Sequence, residues 1–303
     1  MPAKELPDSV RLTHPARIVD ASTGITKLDV MRYYIAAAPR LLEHLRARPV
    51  ALVRAPDGLD GGRFFQKHLG RLRVRGIKQL DRALDPGNDP MLEIASVEAI
   101  LGSVQMNVLE FHTWNASVRS IETPDRLVFD LDPGKGVEWM DVCAAAKRVR
   151  AALQDYELEA FVKTSGGRGL HVVVPLRPRA AWDSARAFAL AIVQRLARIA
   201  PDRFTAKSGP RNRVGRIFID YLRNGRGATT VAAWSSRARP GLGVSVPVAW
   251  HELEMLRSAD QWNVRNALER LRSADPWAAY AGSQRALPAD IEGRVRRSRS
   301  AAK

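Results

Sequence analysis

Arg126-Leu-Val-Phe-Asp-Leu-Asp-Pro-Gly134 is the stretch that decides the fold. Leu127, Phe129 and Leu131 alternate with Val128, Asp130 and Asp132, the two-residue period of a β-strand. Asp130 and Asp132 therefore share one face, roughly 6.6 Å apart at about 3.3 Å per residue. Pro133-Gly134 ends the strand just beyond them. Two ionised carboxylates at this spacing repel unless a cation lies between them. Hard oxygen ligands of this kind suit Mg²⁺ or Mn²⁺. The plainer alternative is a strand-to-loop turn with solvated acids, because Asp is common at turns.

A second strand carries another acid. In Arg216-Ile-Phe-Ile-Asp-Tyr-Leu-Arg223, Ile217, Ile219 and Tyr221 face one way and Asp220 the other. A buried acid in an apolar strand is costly unless it is paired or metal-bound. Three carboxylates on neighbouring strands could hold two cations about 3.5–4 Å apart, as phosphoryl transfer requires. An Asp220–Arg salt bridge explains the same residues equally well.

Lys163-Thr-Ser-Gly-Gly-Arg-Gly-Leu-His171 is a tight glycine turn. Its amides, the Ser165 hydroxyl, Arg168 and His171 are donors suited to phosphate oxygens. It is not a P-loop, since the Gly-Lys-Ser/Thr ending is missing and a strand follows. A simple glycine hairpin is the alternative. Arg223 and Arg237 add cations, and residues 207–226 hold six basic side chains against Asp220 alone. Glu110, His112 and Trp114 alternate along residues 106–114. His112 is a candidate ligand contact, although a lone strand histidine is more often core. Phe64 and Phe65 are adjacent, so they cannot both face inward; one is free to stack on a base.

Working outward, a helix is expected from Thr26, where Thr26 and Asp29 form a capping pair, to about Arg48. Pro49 stops it, and a short strand to Arg54 follows. Further strands are expected at 106–113, 126–132, 159–164, 170–175 and 216–222, and helices at 138–154, 180–199 and 251–272. From Arg63 to Arg82 there are seven basic residues and one Asp, and Arg71, Arg73 and Arg75 alternate as on one strand face. Alternating strands and helices predict an α/β (α+β) fold. The expected organisation is a single unit over 1–290, with an N-terminal part to about 105, a catalytic core over 106–250 and a helical part over 251–287. A basic tail, 288–303, is expected to be disordered.

The chain has 303 residues and a net charge of +16, from 48 Lys and Arg against 32 Asp and Glu. Such an excess points to a polyanionic partner. No apolar run reaches the ~18–20 residues of a membrane span, and the N-terminus lacks a signal-peptide core. Cys143 is the only cysteine, which excludes a disulfide framework and a Cys-rich zinc site. A cytoplasmic, nucleoid-associated protein is expected.

Taken in order, Ile25-Thr-Lys27, Phe64-Phe-Gln-Lys67, Glu110-Phe-His-Thr-Trp114, Asp130-Leu-Asp132, Ser165-Gly-Gly-Arg-Gly-Leu-His171, Phe218-Ile-Asp220 and Ser236-Arg237 cover nearly the whole chain. This ordered set resembles the polymerase domain of bacterial ligase D, the end-joining member of the archaeo-eukaryotic primase superfamily. The resemblance implies a primase-type core of two facing β-sheets with flanking helices. It implies that Asp130, Asp132 and Asp220 bind two divalent cations, Mn²⁺ favoured over Mg²⁺. It assigns the triphosphate of an incoming NTP or dNTP to Ser165, Arg168, His171, Arg223 and Arg237, and the sugar to the neighbourhood of His112. Lys27 would belong to a pocket for a downstream 5′-phosphate, and Phe64 and Phe65, in a motif with Lys67, would meet the template. The positions of Arg168 and Arg223 are not always Arg in relatives.

The implied activity is filling gaps and extending ends of DNA with gaps, nicks or breaks during non-homologous end joining. The implied partners are ligase and phosphoesterase domains of the same polypeptide and a Ku-like end-binding protein. Two alternatives compete. A replicative-type primase would normally carry a Cys/His zinc knuckle, which one cysteine cannot build. A non-catalytic DNA-end-binding module would leave three acids unexplained in a basic surface.

Overall fold

The computed structural model describes residues 12–70 and 74–288. Strands Ile18–Asp20 (β1) and Ile25–Thr26 (β2) form a small antiparallel ribbon that leads into helix α1, Lys27–Leu45. The capping box is present: the Thr26 hydroxyl accepts from the Asp29 amide, and the Asp29 carboxylate accepts from the Thr26 amide. The expected face, including Val30, Tyr33, Tyr34, Ala37, Leu41 and Leu45, is buried. The helix ends three residues short of Arg48 because Ala47 adopts φ +56° and donates its amide to Glu93.

Strands Val50–Arg54 (β3), Phe64–Gln66 (β4), Ile77–Gln79 (β5) and Leu92–Ile94 (β6) follow, then helix Val97–Gln105 (α2) and strand Val108–Thr113 (β7). The chain continues through Arg126–Pro133 (β8), Trp139–Gln154 (α3), Phe161–Thr164 (β9), Leu170–Pro175 (β10) and Trp182–Ile199 (α4). Short strands Phe204–Thr205 (β11), Ile217–Asp220 (β12), Thr230–Val231 (β13) and Pro247–Val248 (β14) complete the sheets, and Ala267–Arg270 (α5) is the last α-helix described. One six-stranded sheet runs β11-β12-β8-β10-β9-β14, antiparallel except for β11 with β12. The other runs β13-β7-β3-β6-β5, and β4 shares an edge of β3 with β6. Two main sheets with flanking helices are the expected fold class.

Helices α3 and α4 both pack on β8. Leu127, Phe129 and Leu131 of β8 are fully buried, while Asp130 and Asp132 keep 15% and 37% of their side chains exposed. Burial of large apolar groups, each contributing about 1.5–3 kcal/mol, drives this arrangement. Two tyrosines enter the core because their hydroxyls find acceptors: Tyr33 donates to the Trp234 carbonyl and Tyr34 to that of Leu109. Trp234 itself is buried at φ +68°, a backbone strain of about 1–2 kcal/mol. Its packing and the Tyr33 bond hold it there.

Residues 251–272 are not the expected helix. A 3₁₀ turn spans Trp250–Glu254, and among the described residues beyond it only α5 is α-helical. The side chains of Gln261, Asn263 and Asn266 accept from the amides of Arg257, Arg265 and Asn263, offering that backbone an alternative to the helix. Val244 also donates to the Trp262 carbonyl, drawing the segment towards residues 243–244. The expected Arg71–Arg75 strand face falls partly on 71–73, outside the described residues, as does the tail beyond 288. Among the described residues no helix is long and apolar enough to cross a membrane.

Candidate active site

β8 and β12 pair so that Asp220 lies directly opposite Asp130 and Phe218 opposite Asp132. The three carboxylates are thereby carried on two paired strands, and arginines reach each of them. Arg223 Nε lies 3.1 Å from Asp220 Oδ2 and 3.6 Å from Asp130 Oδ2. Arg213, which sequence reasoning did not single out, reaches Asp132 at 2.7 Å from the 3₁₀ turn Pro210–Arg213. That turn closes over the end of β8 because Gly134 has no side chain: a Cβ there would lie 1.5 Å from the Arg213 carbonyl oxygen.

Burial opposes ionisation of Asp130, but His171, Arg223 and Arg237 overcome it and hold the carboxyl well below the usual carboxylate range. Asp220 moves the other way: burial raises it, and Asp130 and Asp132 add to the rise against the pull of Arg223. The salt bridge that competed with a metal reading of Asp220 is thus present. Among the described residues no three acidic, His or Cys side chains converge as a ready cation cage. The donor set still fits a hard divalent cation, being carboxylate oxygens whose mutual repulsion is only partly relieved by arginines.

The glycine turn seats His171 on the neighbouring strand, opposite Asp130 in register. Gly169 permits this closeness, since a Cβ on it would stand 1.9 Å from the Leu131 carbonyl oxygen. His171 Nε2 lies 3.4 Å from Asp130 Oδ1, and its Nδ1 lies 3.1 Å from Lys163 Nζ. Burial and Lys163 push His171 down to about 4, so it meets Asp130 as a neutral ring at pH 7. Lys163 also donates to Ser245 Oγ and the Val231 carbonyl; burial and Arg237 place it well below the ordinary lysine range. Its position two residues before the turn was the only sequence signal for this role.

Ser165 organises the turn from within. Its hydroxyl oxygen accepts from the amides of Gly167 and Gly169, so those two N–H groups point into the turn and not towards an anion. Arg168 is exposed on the turn. Arg237 donates from Nη1 to the Ser165 carbonyl and from Nε to Glu110. Glu110 in turn binds His112, whose ring meets Phe65 edge-on at 5.5 Å. The structure therefore brings His112 and Arg237 together through a carboxylate. Phe64 and Phe65 are both exposed, since β4 is a three-residue edge strand; Arg54 lies over the first ring and Lys67 over the second.

Lys27 makes its contacts elsewhere. It is 4% exposed and donates to the Gln105 carbonyl. Burial and the neighbouring Arg17 lower it to about 8. Arg17 was not anticipated; it is held by Asn107.

A family model described as the LigD primase-polymerase domain matches residues 26–277. The chain belongs to the LigD primase-polymerase family. It is 52% identical over 291 residues to the multifunctional non-homologous end joining protein LigD of Pseudomonas aeruginosa, covering 95% of this chain and 35% of that protein. It is 25% identical to the bifunctional non-homologous end joining protein LigD of Bacillus subtilis, covering 83% of this chain and 41% of the relative. Among solved structures, the polymerase domain from Mycobacterium tuberculosis ligase D in complex with DNA superposes with a TM-score of 0.82 at 30% identity, covering 91% of this chain and 99% of that one. The chain thus spans about a third of the P. aeruginosa relative.

Proposed function

We propose that the chain is a template-directed nucleotidyltransferase that adds ribo- or deoxyribonucleotides to 3′ ends at gaps and breaks in DNA, in the end-joining pathway of its LigD relatives. The observation that carries this is the register that sets Asp220 against Asp130, with Asp132 at the strand end and three cationic or donor side chains, His171, Arg213 and Arg223, around them. Asp130, Asp132 and Asp220 would hold two divalent cations, Mn²⁺ or Mg²⁺, which supply charge neutralisation and an acidified 3′-hydroxyl when bound. Arg213 and Arg223 would then turn from the carboxylates to the triphosphate. Arg237 would present donors to charge developing on the phosphates, and His171 would do so by turning its Nε2–H from Asp130. Phe64 and Phe65 offer stacking faces to template bases, flanked by Lys67.

The decisive assay offers a gapped duplex, Mn²⁺ and nucleotides to the chain and reads primer extension by gel. Templated extension is expected; DNA binding without extension would overturn the enzyme reading, and synthesis on an unprimed template would favour a primase. Backbone contacts should dominate binding, making it strongly salt-dependent.

Lys27 supplies a pH signature. In the proposed role its ammonium meets the 5′-phosphate at the far side of the gap. Without ligand its pKa is about 8, so the charged form that phosphate needs is lost as pH rises through that value. Stimulation of gap filling by a 5′-phosphate should fall by up to about tenfold between pH 7 and 9. Lys27→Ala should weaken the stimulation at pH 7, and flatten its fall towards pH 9, while sparing simple primer extension. Equal loss on both substrates would contradict the role.

A further inference from the structure

The segment that leads into Arg237 carries two local costs at one residue. Trp234 is fully buried at φ +68°, a left-handed conformation that a bulky side chain rarely adopts. Its indole N–H is buried without a hydrogen-bond partner among the described residues. A residue held this way persists only where its surroundings over-determine it, and such residues cluster where the geometry serves a site. Here two tyrosines of α1 supply the constraint. Tyr33 donates to the Trp234 carbonyl at 2.7 Å. The Tyr34 hydroxyl donates to the Leu109 carbonyl at 2.7 Å and accepts at 3.0 Å from the amide of Ser236, the residue before Arg237. Both rings are fully buried and meet edge-on at 5.1 Å, and Tyr34 also meets Phe111 edge-on, so the two hydroxyls are held rigidly.

We propose that Tyr33 and Tyr34 are positioning residues that hold the strained Trp234–Ser236 segment and thereby aim the Arg237 guanidinium at the phosphates of the bound nucleotide. This rests on the polymerase function proposed above. Arg237 donates from Nε to Glu110 and from Nη1 to the Ser165 carbonyl, which leaves Nη2 without a hydrogen-bond partner among the described residues. The guanidinium is planar, so two tethered nitrogens fix the direction in which the third points. Where that plane lies depends on the backbone of Arg237. Its own amide donates to the Gly243 carbonyl at 2.8 Å. Just before it, the Trp234 carbonyl and the Ser236 amide are the two groups that the tyrosines grip. Loss of either hydroxyl lets the left-handed turn relax, and the guanidinium moves with it. Neither tyrosine reaches a ligand, since both are fully buried; their effect on the nucleotide passes through residue 237.

Tyr34→Phe and Tyr33→Phe in the whole chain test this, by single-nucleotide extension on a gapped duplex. Each variant should lower kcat/KM for the nucleotide by about tenfold, while its affinity for the gapped duplex stays within about twofold of wild type. A general loosening of the core would also lower activity, so the deciding readout is a double-mutant cycle with Arg237→Ala. Once the guanidinium is gone there is nothing left to aim, and removing a tyrosine hydroxyl should change kcat/KM by less than about twofold. An undiminished loss in the Arg237→Ala background, or no loss in either tyrosine variant alone, overturns the proposal. If one tyrosine variant does not fold, the other completes the cycle. Failure of the underlying function would appear separately, as no extension by the wild-type chain with any nucleotide.

Discussion

Asp130→Asn should reduce primer extension at least about a thousandfold, or roughly 4 kcal/mol of transition-state stabilisation, with the fold intact. The substitution is nearly isosteric and removes only charge. Asp130 faces Asp220 across the β8–β12 ladder and accepts the approach of both His171 and Arg223. It is therefore the group through which a cation, the neutral histidine and the arginine would share one charge balance. An amide cannot neutralise a divalent cation, and its NH₂ would repel one. Extension across a Mn²⁺ titration is the measurement; activity within tenfold of wild type at saturating Mn²⁺ would contradict the metal role.

The same variant has a readable effect on acid stability. Because the folded pKa of Asp130 lies below its unfolded value of 3.8, ionised Asp130 contributes stability that is fully present above that value. It is lost as pH falls towards the folded pKa. Asp220, raised in part by Asp130, opposes this with the reverse sign. Asp130→Asn should therefore lose stability near neutral pH and show a shallower acid-unfolding curve. A curve of unchanged slope would mean that the arginines do not hold Asp130 ionised in the folded state.

Asn224→Ala should lower unfolding free energy by about 3 kcal/mol. β12 ends at Asp220, opposite Asp130, so Val128 has no strand partner on that side. The Asn224 carboxamide takes the place of one: its Oδ1 accepts from the Val128 amide and its Nδ2 donates to the Val128 carbonyl, both at 2.8 Å. The same side chain meets Asn115 and is wholly buried. Alanine leaves a buried amide and carbonyl without partners in the middle of the strand that carries Asp130 and Asp132. It also frees Arg223, the adjacent residue, so extension should fall along with stability. Urea unfolding and amide exchange at Val128 test this; a loss under about 0.5 kcal/mol would show that water or backbone shift replaces the side chain.

Much of this was legible in the residues because the forces involved are local. The Thr26–Asp29 box, the alternation of β8 and the helical spacing in α3 and α4 each depend on neighbours within a few positions. Short strands such as β5, β6 and β13 carry too few residues for a period to be read. α2 was passed over, although Ser96 caps it by accepting from the Ala99 amide. The helix expected over 251–272 failed because amide side chains, and not apolar spacing, govern that backbone.

By itself the sequence determined that Asp130 and Asp132 share one face of a strand, that a glycine turn precedes His171, and that a basic chain surrounds them. Only the tertiary structure decided that Asp220 faces Asp130, that Arg213 and Arg223 sit on the carboxylates, and that Glu110 joins His112 to Arg237. The reason is physical. Side-chain alternation follows from backbone geometry within one strand, whereas the partner of a buried charge is chosen by which distant segments the core brings into register.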